Sequence, residues 1–153
     1  MEKEKPGKKN LVRKLLTAGL VLLLIGGAAA WYMLTKTFDD TATTTADYTV
    51  NALDLIKEFK QGDSAANKKY AEKIITVNGR ISAIEAADTT LNVRMDDPSG
   101  SYVIFAFQRQ DFEKVKKLKA GDSASVKGSC SGGAYSDILE TEFITFKRCS
   151  VNK

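Results

Sequence analysis

The stretch IITVNGRISA, residues 74–83, decides the fold of this chain. Ile75, Val77, Gly79 and Ile81 alternate with polar residues along it. A period of two is that of a half-buried β-strand, because successive side chains of a strand point to opposite faces. Gly79 inside the strand indicates a bulge or a sharp bend. We therefore predict that a β-rich domain begins at this stretch.

Strand and helix patterns follow one another after residue 83. The turn signal DDPSG, residues 96–100, joins two strands into a hairpin, because proline fixes φ and glycine can adopt a positive φ. The segment SGGA, residues 131–134, is expected to be a loop. The predicted elements are, in chain order, strands at residues 74–83, 91–95 and 103–107, a helix at residues 109–118, and strands at residues 124–130 and 138–149. In the last strand the apolar parity slips between Phe143 and Ile144, which indicates a bulge.

This order predicts a mainly β fold, a five-stranded OB-fold barrel with a helix between strands three and four. Two short helices are predicted before it, at Val50–Lys60 and Ala65–Glu72, with Thr49 as the N-cap of the first. We expect both helices to pack on the sheet and to add apolar area to a small core. The apolar face of the first helix comprises Val50, Leu53, Ile56 and Phe59.

The N-terminal part of the chain is typical of a membrane anchor. Residues 15–34 carry no charge, and a helix of that length spans about 30 Å, the thickness of a bilayer core. Residues 1–14 are basic, so the positive-inside rule predicts a single-pass protein with a cytoplasmic tail. Residues 35–48 are then a polar linker, and residues 49–153 an extracytoplasmic (periplasmic) domain. A signal peptide cleaved near Ala28–Ala30 and a buried core helix are the alternatives.

The net charge of +4 lies in the N-terminal tail. Residues 1–14 carry six basic and two acidic residues, whereas the chain from Lys36 onward has 17 of each sign. Affinity for nucleic acid depends largely on clustered Lys and Arg that neutralise phosphates. The charge of the domain therefore gives no support for a nucleic-acid partner.

The residue types exclude several kinds of site. The chain has no histidine, which excludes Ser-His-Asp and Cys-His triads and His-ligated metals. Asp96 and Asp97 belong to a turn that lacks the calcium-loop pattern. Glu140 and Glu142 alternate on one strand face, so we expect them to be solvated. We predict no catalytic residues, no metal site and no cofactor.

Cys130 and Cys149 lie on the fourth and fifth predicted strands, which are neighbours in the barrel. In an oxidising compartment we expect a structural disulfide between them. It would close a loop of about 20 residues and stabilise the domain by roughly 3 kcal/mol. Two free core thiols and a redox-active pair are the alternatives, the last without a CxxC motif to support it.

A ligand face is predicted on strands two and three, where oligonucleotide-binding OB-folds present aromatic and basic side chains. If the alternating apolar residues point inward, Arg94 and Tyr102 point outward, and Arg109 lies close in sequence. These three are the candidate ligand-binding residues. An ordinary solvated sheet face is the alternative.

Three motifs resemble those of a known family. They are YAEK at residues 70–73, I-x-V-x-G-x-I at residues 75–81, and L-x-x-G-D-x-x-x-V-x-G-x-C-x-G at residues 118–132, followed by Arg148-Cys149. Over about residues 50–151 the chain resembles the tRNA-anticodon-binding-like OB-fold proteins, a family of bacterial membrane-anchored proteins and lipoproteins. The resemblance implies an OB-fold and a nominal link to nucleic acid without naming a ligand.

Together these observations predict a non-enzymatic, membrane-anchored binding module. Its partners are the membrane, through residues 15–34, and an unidentified protein, glycan or oligonucleotide. A nucleic-acid-binding OB-fold protein is the alternative function, and an enzyme built from Asp, Glu, Lys, Ser and Tyr is a third hypothesis that no residue pattern supports.

Overall fold

The computed structural model describes residues 8–35, 41–86 and 89–152. The chain forms two units, divided near residue 38. The predicted tail up to residue 7, and linker residues 36–40, lie outside the described residues.

The first unit contains helix α1, Lys8–Thr35. Within the described residues, the segment Val12–Tyr32 is long and apolar enough to cross a membrane, and its side chains are exposed. That exposure fits a membrane anchor or a signal sequence. It does not fit the core helix of a soluble domain, whose apolar side chains would be buried.

The second unit is built around one seven-stranded sheet. Its strands are β1 Tyr48–Asn51, β2 Ile74–Arg80, β3 Ala83–Ala86, β4 Leu91–Asp96, β5 Tyr102–Phe107, β6 Ser123–Ser136 and β7 Thr141–Asn152. The strand order is β1-β2-β6-β7-β5-β4-β3. The β1–β2 and β5–β7 pairs are parallel, and the other four pairs are antiparallel. The hydrogen-bonded order is open, with seven strands in place of the predicted five-stranded barrel.

The helices of this unit lie in two of the connections between strands. Helices α2, Ala52–Gln61, and α3, Asp63–Tyr70, come between β1 and β2. Between β5 and β6 the chain forms a 3₁₀ turn at Arg109–Asp111 and the short helix α4, Phe112–Val115. The helix predicted at residues 109–118 is therefore shorter than expected.

The first predicted strand is two strands in the structure, because the chain changes partner between β2 and β3. Up to Arg80 it pairs with β6. The Ile81 N–H then donates to the Asp122 carbonyl at 2.9 Å, and the Ser82 N–H donates to the Arg94 carbonyl at 2.8 Å. From there β3 pairs with β4.

Strand β1 is absent from the sequence prediction, which assigned its residues to the linker and the first helix. The Asp47 N–H donates to the Ile74 carbonyl at 2.7 Å, and the Ile74 N–H donates to the Asp47 carboxylate at 2.9 Å. Further upstream, Lys127 Nζ donates to the carbonyls of Ala42 and Thr44, both at 2.9 Å. The second half of the predicted linker is therefore folded against the domain.

The buried face of helix α2 differs in part from the apolar face that the sequence predicts. Asn51 caps it, since its side chain accepts from the Leu53 N–H at 3.0 Å, and Thr49 lies within β1. Val50 is also in β1, and Leu53 is 53% exposed. The buried residues have the spacing i, i+3, i+4, i+7 of a helix face, whereas a strict three-residue step drifts around the helix. They are Ala52, Leu55, Ile56 and Phe59.

The core consists of the buried residues of α2 and α3 together with the inward-facing residues of the sheet. The predicted alternation in β4 and β5 is confirmed, because every second residue of both strands is buried. Those residues are Leu91, Val93, Met95, Val103, Phe105 and Phe107. Gly79 in β2 leaves room for this packing, since a Cβ there would lie 2.7 Å from Met95 Sδ and 2.8 Å from Ala52 Cβ.

The disulfide predicted between Cys130 and Cys149 is not supported, because both are free, buried thiols in the structure. Two register shifts in the β6–β7 pair, after Lys127 and after Cys130, place Cys130 opposite Phe146. The Cys149 sulfur instead lies over Gly128, where a Cβ would be 2.6 Å away. Burial raises the pKa of both thiols, so they stay protonated at neutral pH and are poor nucleophiles.

The β6–β7 hairpin is longer than predicted. Strand β6 continues through the segment 131–134 that was expected to be a loop, and β7 begins at Thr141 rather than Ile138. The β6–β7 pair does contain two register shifts. On β7 one lies between Lys147 and Ser150 and the other between Thr145 and Phe146, so neither falls between Phe143 and Ile144 as predicted. Phe143 itself points to the outer face, while its neighbours Glu142 and Ile144 are buried. The prediction of a solvated Glu142 is therefore wrong.

Candidate ligand-binding face

The outer face of β4, β5 and β7 carries the predicted site. Strand register places Tyr102 of β5 opposite both Asp96 of β4 and Phe143 of β7. Arg94 lies in the next row, opposite Ile104. All five side chains are partly exposed, because the alternate residues of the same strands fill the core. We call this surface the outer face.

Three side chains of the outer face are stacked. The guanidinium carbon of Arg94 lies 4.1 Å from the centroid of the Tyr102 ring, within the range of a cation–π contact. The rings of Tyr102 and Phe143 are 6.3 Å apart with planes inclined by 26°. This arrangement gives a partly exposed platform of one guanidinium and two aromatic rings, on which a flat or apolar group can pack.

Carboxylates hold Arg94 in this position. Its Nη2 atom lies 3.1 Å from Asp96 Oδ2, and its Nη1 atom lies 3.4 Å from Glu85 Oε1. Asp96 is itself fixed by Ser82, whose hydroxyl donates to Oδ1 at 2.7 Å. Arg94 Nε is buried and has no hydrogen-bond partner among the described residues. The cation is therefore already neutralised, and the three charged residues have a net charge of −1.

The structure separates Arg109 from the other two predicted residues. Tyr102 begins β5, whereas Arg109 lies in the 3₁₀ turn beyond the last residue of that strand. At about 3.3 Å per residue, the six-residue strand puts them roughly 20 Å apart. Arg94 and Tyr102 thus lie together on the outer face, whereas Arg109 lies beyond the end of β5.

Phe143 is the residue that the sequence prediction missed. Its apolar neighbour Ile144 made the change of parity look like a bulge. The sequence did contain a different signal. Adjacent residues of a regular strand point to opposite faces, so if Ile144 lies in the core, Phe143 is an outward-facing aromatic residue. Exposed aromatic residues on a sheet face are typical of ligand platforms.

A buried polar pair lies beneath the platform. Ser101 and Glu142 directly precede Tyr102 and Phe143 and point to the inner side, and the Glu142 N–H donates to Ser101 Oγ at 3.1 Å. Glu142 is only 3% exposed, and its Oε1 has no hydrogen-bond partner among the described residues. Burial raises the pKa of Glu142, the charge of Asp63 raises it further, and Lys60 opposes both.

The turn between β4 and β5 supports the same region. The Asp97 carboxylate accepts from the backbone N–H groups of Ser99 and Ser101 at 2.9 and 3.1 Å, and it pairs with Lys60 of α2. Burial would raise the pKa of Asp97, but the hydrogen bonds from Lys60 and Ser99 outweigh it and hold the pKa below its usual value. Gly100 adopts a φ of +87°. The interpretation of Asp97 as a turn residue is confirmed.

A groove lies next to the outer face, since Asp96 is among its lining residues. It has a volume of about 1120 Å³ and opens between the start of α2 and the ends of β2, β4 and β7. Its walls are mostly apolar, with Leu53, Leu118 and Val151 among them, and Arg80 lies at its rim. Arg80 Nε donates to the Gly121 carbonyl at 2.8 Å. Among the described residues, no group of three or more acidic or cysteine side chains could hold a metal ion.

Comparison with known proteins identifies the family. The tRNA_anti-like family model matches residues 7–141. The chain belongs to the tRNA_anti-like family. The resemblance seen in the sequence motifs is therefore confirmed, and the open sheet described above is that of a tRNA_anti-like domain with OB-like structural neighbours. No curated protein matches the chain.

One solved structure supports the fold of this tRNA_anti-like chain, and two others show a weaker likeness. A protein of Klebsiella pneumoniae subsp. pneumoniae MGH 78578, described as a nucleic acid-binding lipoprotein, is 19% identical and has a TM-score of 0.54; the match covers 68% of this chain and 91% of that one. An aspartyl-tRNA synthetase of Leishmania major Friedlin is 10% identical with a TM-score of 0.45, covering 82% of this chain and 26% of the synthetase. An asparaginyl-tRNA synthetase of Entamoeba histolytica is 20% identical with a TM-score of 0.39, covering 67% and 23%.

Proposed function

We propose that this tRNA_anti-like protein is a non-enzymatic, membrane-anchored binding module whose ligand packs on the outer face. The observation that carries the proposal is the stack of Arg94, Tyr102 and Phe143. Three large side chains that remain partly exposed and are held in a stack present contact area at little entropic cost, which is typical of binding surfaces.

The proposal includes a five-stranded OB barrel as the scaffold of this face. Strands β2 and β3 would be two halves of one barrel strand, because the chain changes from β6 to β4 as its partner within Ile81 and Ser82. On that interpretation α4 occupies the position between the third and fourth barrel strands, and β1 is an addition to the edge.

The proposal also includes the anchor and its orientation. Helix α1 would span the membrane once and remain uncleaved, with the basic tail in the cytoplasm and the sheet domain in the periplasm. The apolar segment Val12–Tyr32 and the concentration of Lys and Arg before it support this arrangement. A cleaved signal peptide would send the domain to the same side.

An oligonucleotide ligand is the second candidate. The stacking platform favours it, as does the nucleic-acid binding ascribed to the Klebsiella lipoprotein. The charge of the outer face opposes it, because Asp96 and Glu85 already neutralise Arg94. Single-strand binders normally add a positively charged groove to their aromatic residues.

Fluorescence anisotropy separates the two candidates. The full chain in phosphatidylcholine nanodiscs is titrated into labelled dT20 at low and physiological salt. We expect no saturable binding in the micromolar range. Micromolar binding that weakens steeply with salt, and that Tyr102→Ala abolishes, would instead establish the oligonucleotide function.

The face itself is tested with glycan and peptide arrays. Any ligand bound by the wild type should be lost with Tyr102→Ala and with Phe143→Ala. Lys116→Ala is the matched control, because Lys116 is exposed after α4 and pairs only with Glu113 in the described structure. If a ligand binds both aromatic variants with the same affinity as the wild type, the outer face is not its site.

A further inference from the structure

Two adjacent apolar side chains are exposed in the turn of the β6–β7 hairpin. Ile138 is 94% exposed and Leu139 is 63% exposed, whereas the exposed Tyr135 pairs with Glu142 and so lies on the opposite side of the hairpin from Phe143. Single exposed apolar residues are common, but two adjacent ones with this exposure form a small apolar patch of the kind that marks an interaction site. We call this turn the hairpin tip.

The hairpin tip is continuous with the outer face. Strand β7 begins three residues after Ile138, and Phe143 lies opposite Ala134 in the register of the same hairpin. The next outward pair toward the tip is Thr141 and Ser136. A partner that lies along β7 would therefore contact the aromatic platform and the hairpin tip together.

The charge around this continuous surface is negative. Asp137 and Glu140 lie in the tip and make no ion pair with the described residues. On the outer face, Glu85 and Asp96 outnumber Arg94. The four acidic residues thus outnumber the cations Arg94 and Lys147, the latter exposed two residues beyond Thr145 on β7, by about two charges. Complementary charge determines which partners approach such a surface quickly and which are repelled.

We propose that the hairpin tip and the outer face together dock a basic, apolar peptide segment of a protein partner. Apolar side chains of the segment would cover Ile138 and Leu139, and its Lys or Arg side chains would pair with Asp137 and Glu140. The proposal rests on the proposed function, since it uses the same outer face. A polyanion and an anionic lipid surface both carry the wrong sign of charge for this site.

The probe is a labelled model peptide of alternating Lys and Leu, compared with a peptide of alternating Glu and Leu. Both are titrated with the full chain in phosphatidylcholine nanodiscs, with empty nanodiscs as the blank. We expect the Lys-Leu peptide to bind at least tenfold more tightly than the Glu-Leu peptide, and its affinity to fall with salt. Equal binding of the two peptides would overturn the proposal.

Two variants of the tip test the residues. Ile138→Ser combined with Leu139→Ser should weaken the Lys-Leu peptide at least tenfold, and both sites are exposed enough for the fold to tolerate it. Asp137→Asn combined with Glu140→Gln should weaken binding and flatten its salt dependence. Leu53→Ser, at an apolar site on α2 that is 53% exposed, is the control and should not change the affinity for the peptide. Tip variants that bind as the wild type does would overturn the proposal.

Failure of this proposal can be told apart from failure of the outer face. Loss of peptide binding in the tip variant without loss in Tyr102→Ala would keep the tip as a peptide site and reject the outer face. Loss in Tyr102→Ala alone would keep the outer face and reject the tip. A blue-shifted emission of Ile138→Trp relative to the wild type, in nanodiscs without peptide, would place the tip in lipid and overturn the peptide proposal.

Discussion

The two sides of β7 differ in burial and in the kinds of residue that they carry. Its inner side carries Glu142, Ile144 and Phe146, all buried, and its outer side carries Phe143 and Thr145, both partly exposed. Two phenylalanines three residues apart thus have different roles, and a carboxylate occupies a position where an apolar residue would be more stable. Packing in the core thus explains Ile144 and Phe146, whereas the outward-facing Phe143 and the buried Glu142 depart from the usual pattern of apolar residues inside and polar residues outside.

The largest expected effect is on the inner side. Phe146→Ala removes a fully buried ring that packs 5.2 Å from the ring of Phe105. It should lower the free energy of unfolding by about 3–5 kcal/mol, because the ring leaves a cavity. Phe143→Ala, on the outer side, should lower it by less than about 1 kcal/mol. Urea denaturation followed by circular dichroism measures both, and equal losses would erase the distinction between the two sides.

Gly128→Ala tests how tightly the inner side is packed. The new Cβ would lie 2.6 Å from the Cys149 sulfur, so we expect a loss of about 1–3 kcal/mol. Cys149→Ala in the same chain should recover part of this loss, because it removes the atom in contact. Gly62→Ala is the control, since its nearest neighbour would be 4.0 Å away. Additive effects of the two substitutions would show that the contact does not determine the cost.

Glu142→Gln should stabilise the protein at neutral pH by about 1 kcal/mol. Burial raises the pKa of Glu142 in the folded state, so its contribution is favourable below the unfolded pKa of about 4.3 and is lost as the pH rises through the folded value. The neutral amide avoids that loss. The gain, measured as a shift in the urea midpoint, should disappear near pH 4.

The exposed Glu140→Gln serves as the comparison for Glu142. It should leave the midpoint unchanged across the same pH range, because its side chain is solvated. A gain for Glu142→Gln that persists undiminished at pH 4 would mean that the carboxylate is not the source of the instability.

Tyr102→Leu should change stability by about 0.5–1 kcal/mol at most. It removes the ring beneath Arg94 but keeps an apolar side chain on the outer face, and cation–π contacts at exposed sites have about this strength. Differential scanning calorimetry can resolve a change of this size. A loss comparable to that of Phe146→Ala would show that the platform is part of the core rather than a surface for a ligand.

A reducing agent should have no effect on stability. Both thiols are free and buried, so dithiothreitol leaves the melting midpoint unchanged, and both cysteines of the unfolded, unreduced protein react with a thiol reagent. A disulfide of this loop length would be lost on reduction at a cost of about 2–4 kcal/mol. A lower midpoint in dithiothreitol would restore the bridge and contradict the free thiols.

Several elements follow from local sequence alone. The apolar segment of α1 is long and free of charge, so its nature as a candidate membrane span needs no tertiary information. The alternation in β4 and β5, with a proline-glycine turn between them, predicts the hairpin and the outward direction of Arg94 and Tyr102. Each of these features depends on contacts within about ten residues, where side-chain periodicity is a direct consequence of backbone geometry.

Other features depend on partners far along the chain. Val50 joins β1 because β2 offers it a parallel edge, although its spacing suits the helix that follows. The two cysteines lie on adjacent strands, as the sequence predicts, but two register shifts in β6 decide that they do not bond. Phe143 faces outward because Ile144 and Phe146 are required in the core. The sequence by itself thus determined the candidate membrane span, the family resemblance and two of the three platform residues, since these depend on composition and local period. Tertiary structure decided the strand register, the third member of the platform and the state of the thiols, because a shift of one residue exchanges the two faces of a strand.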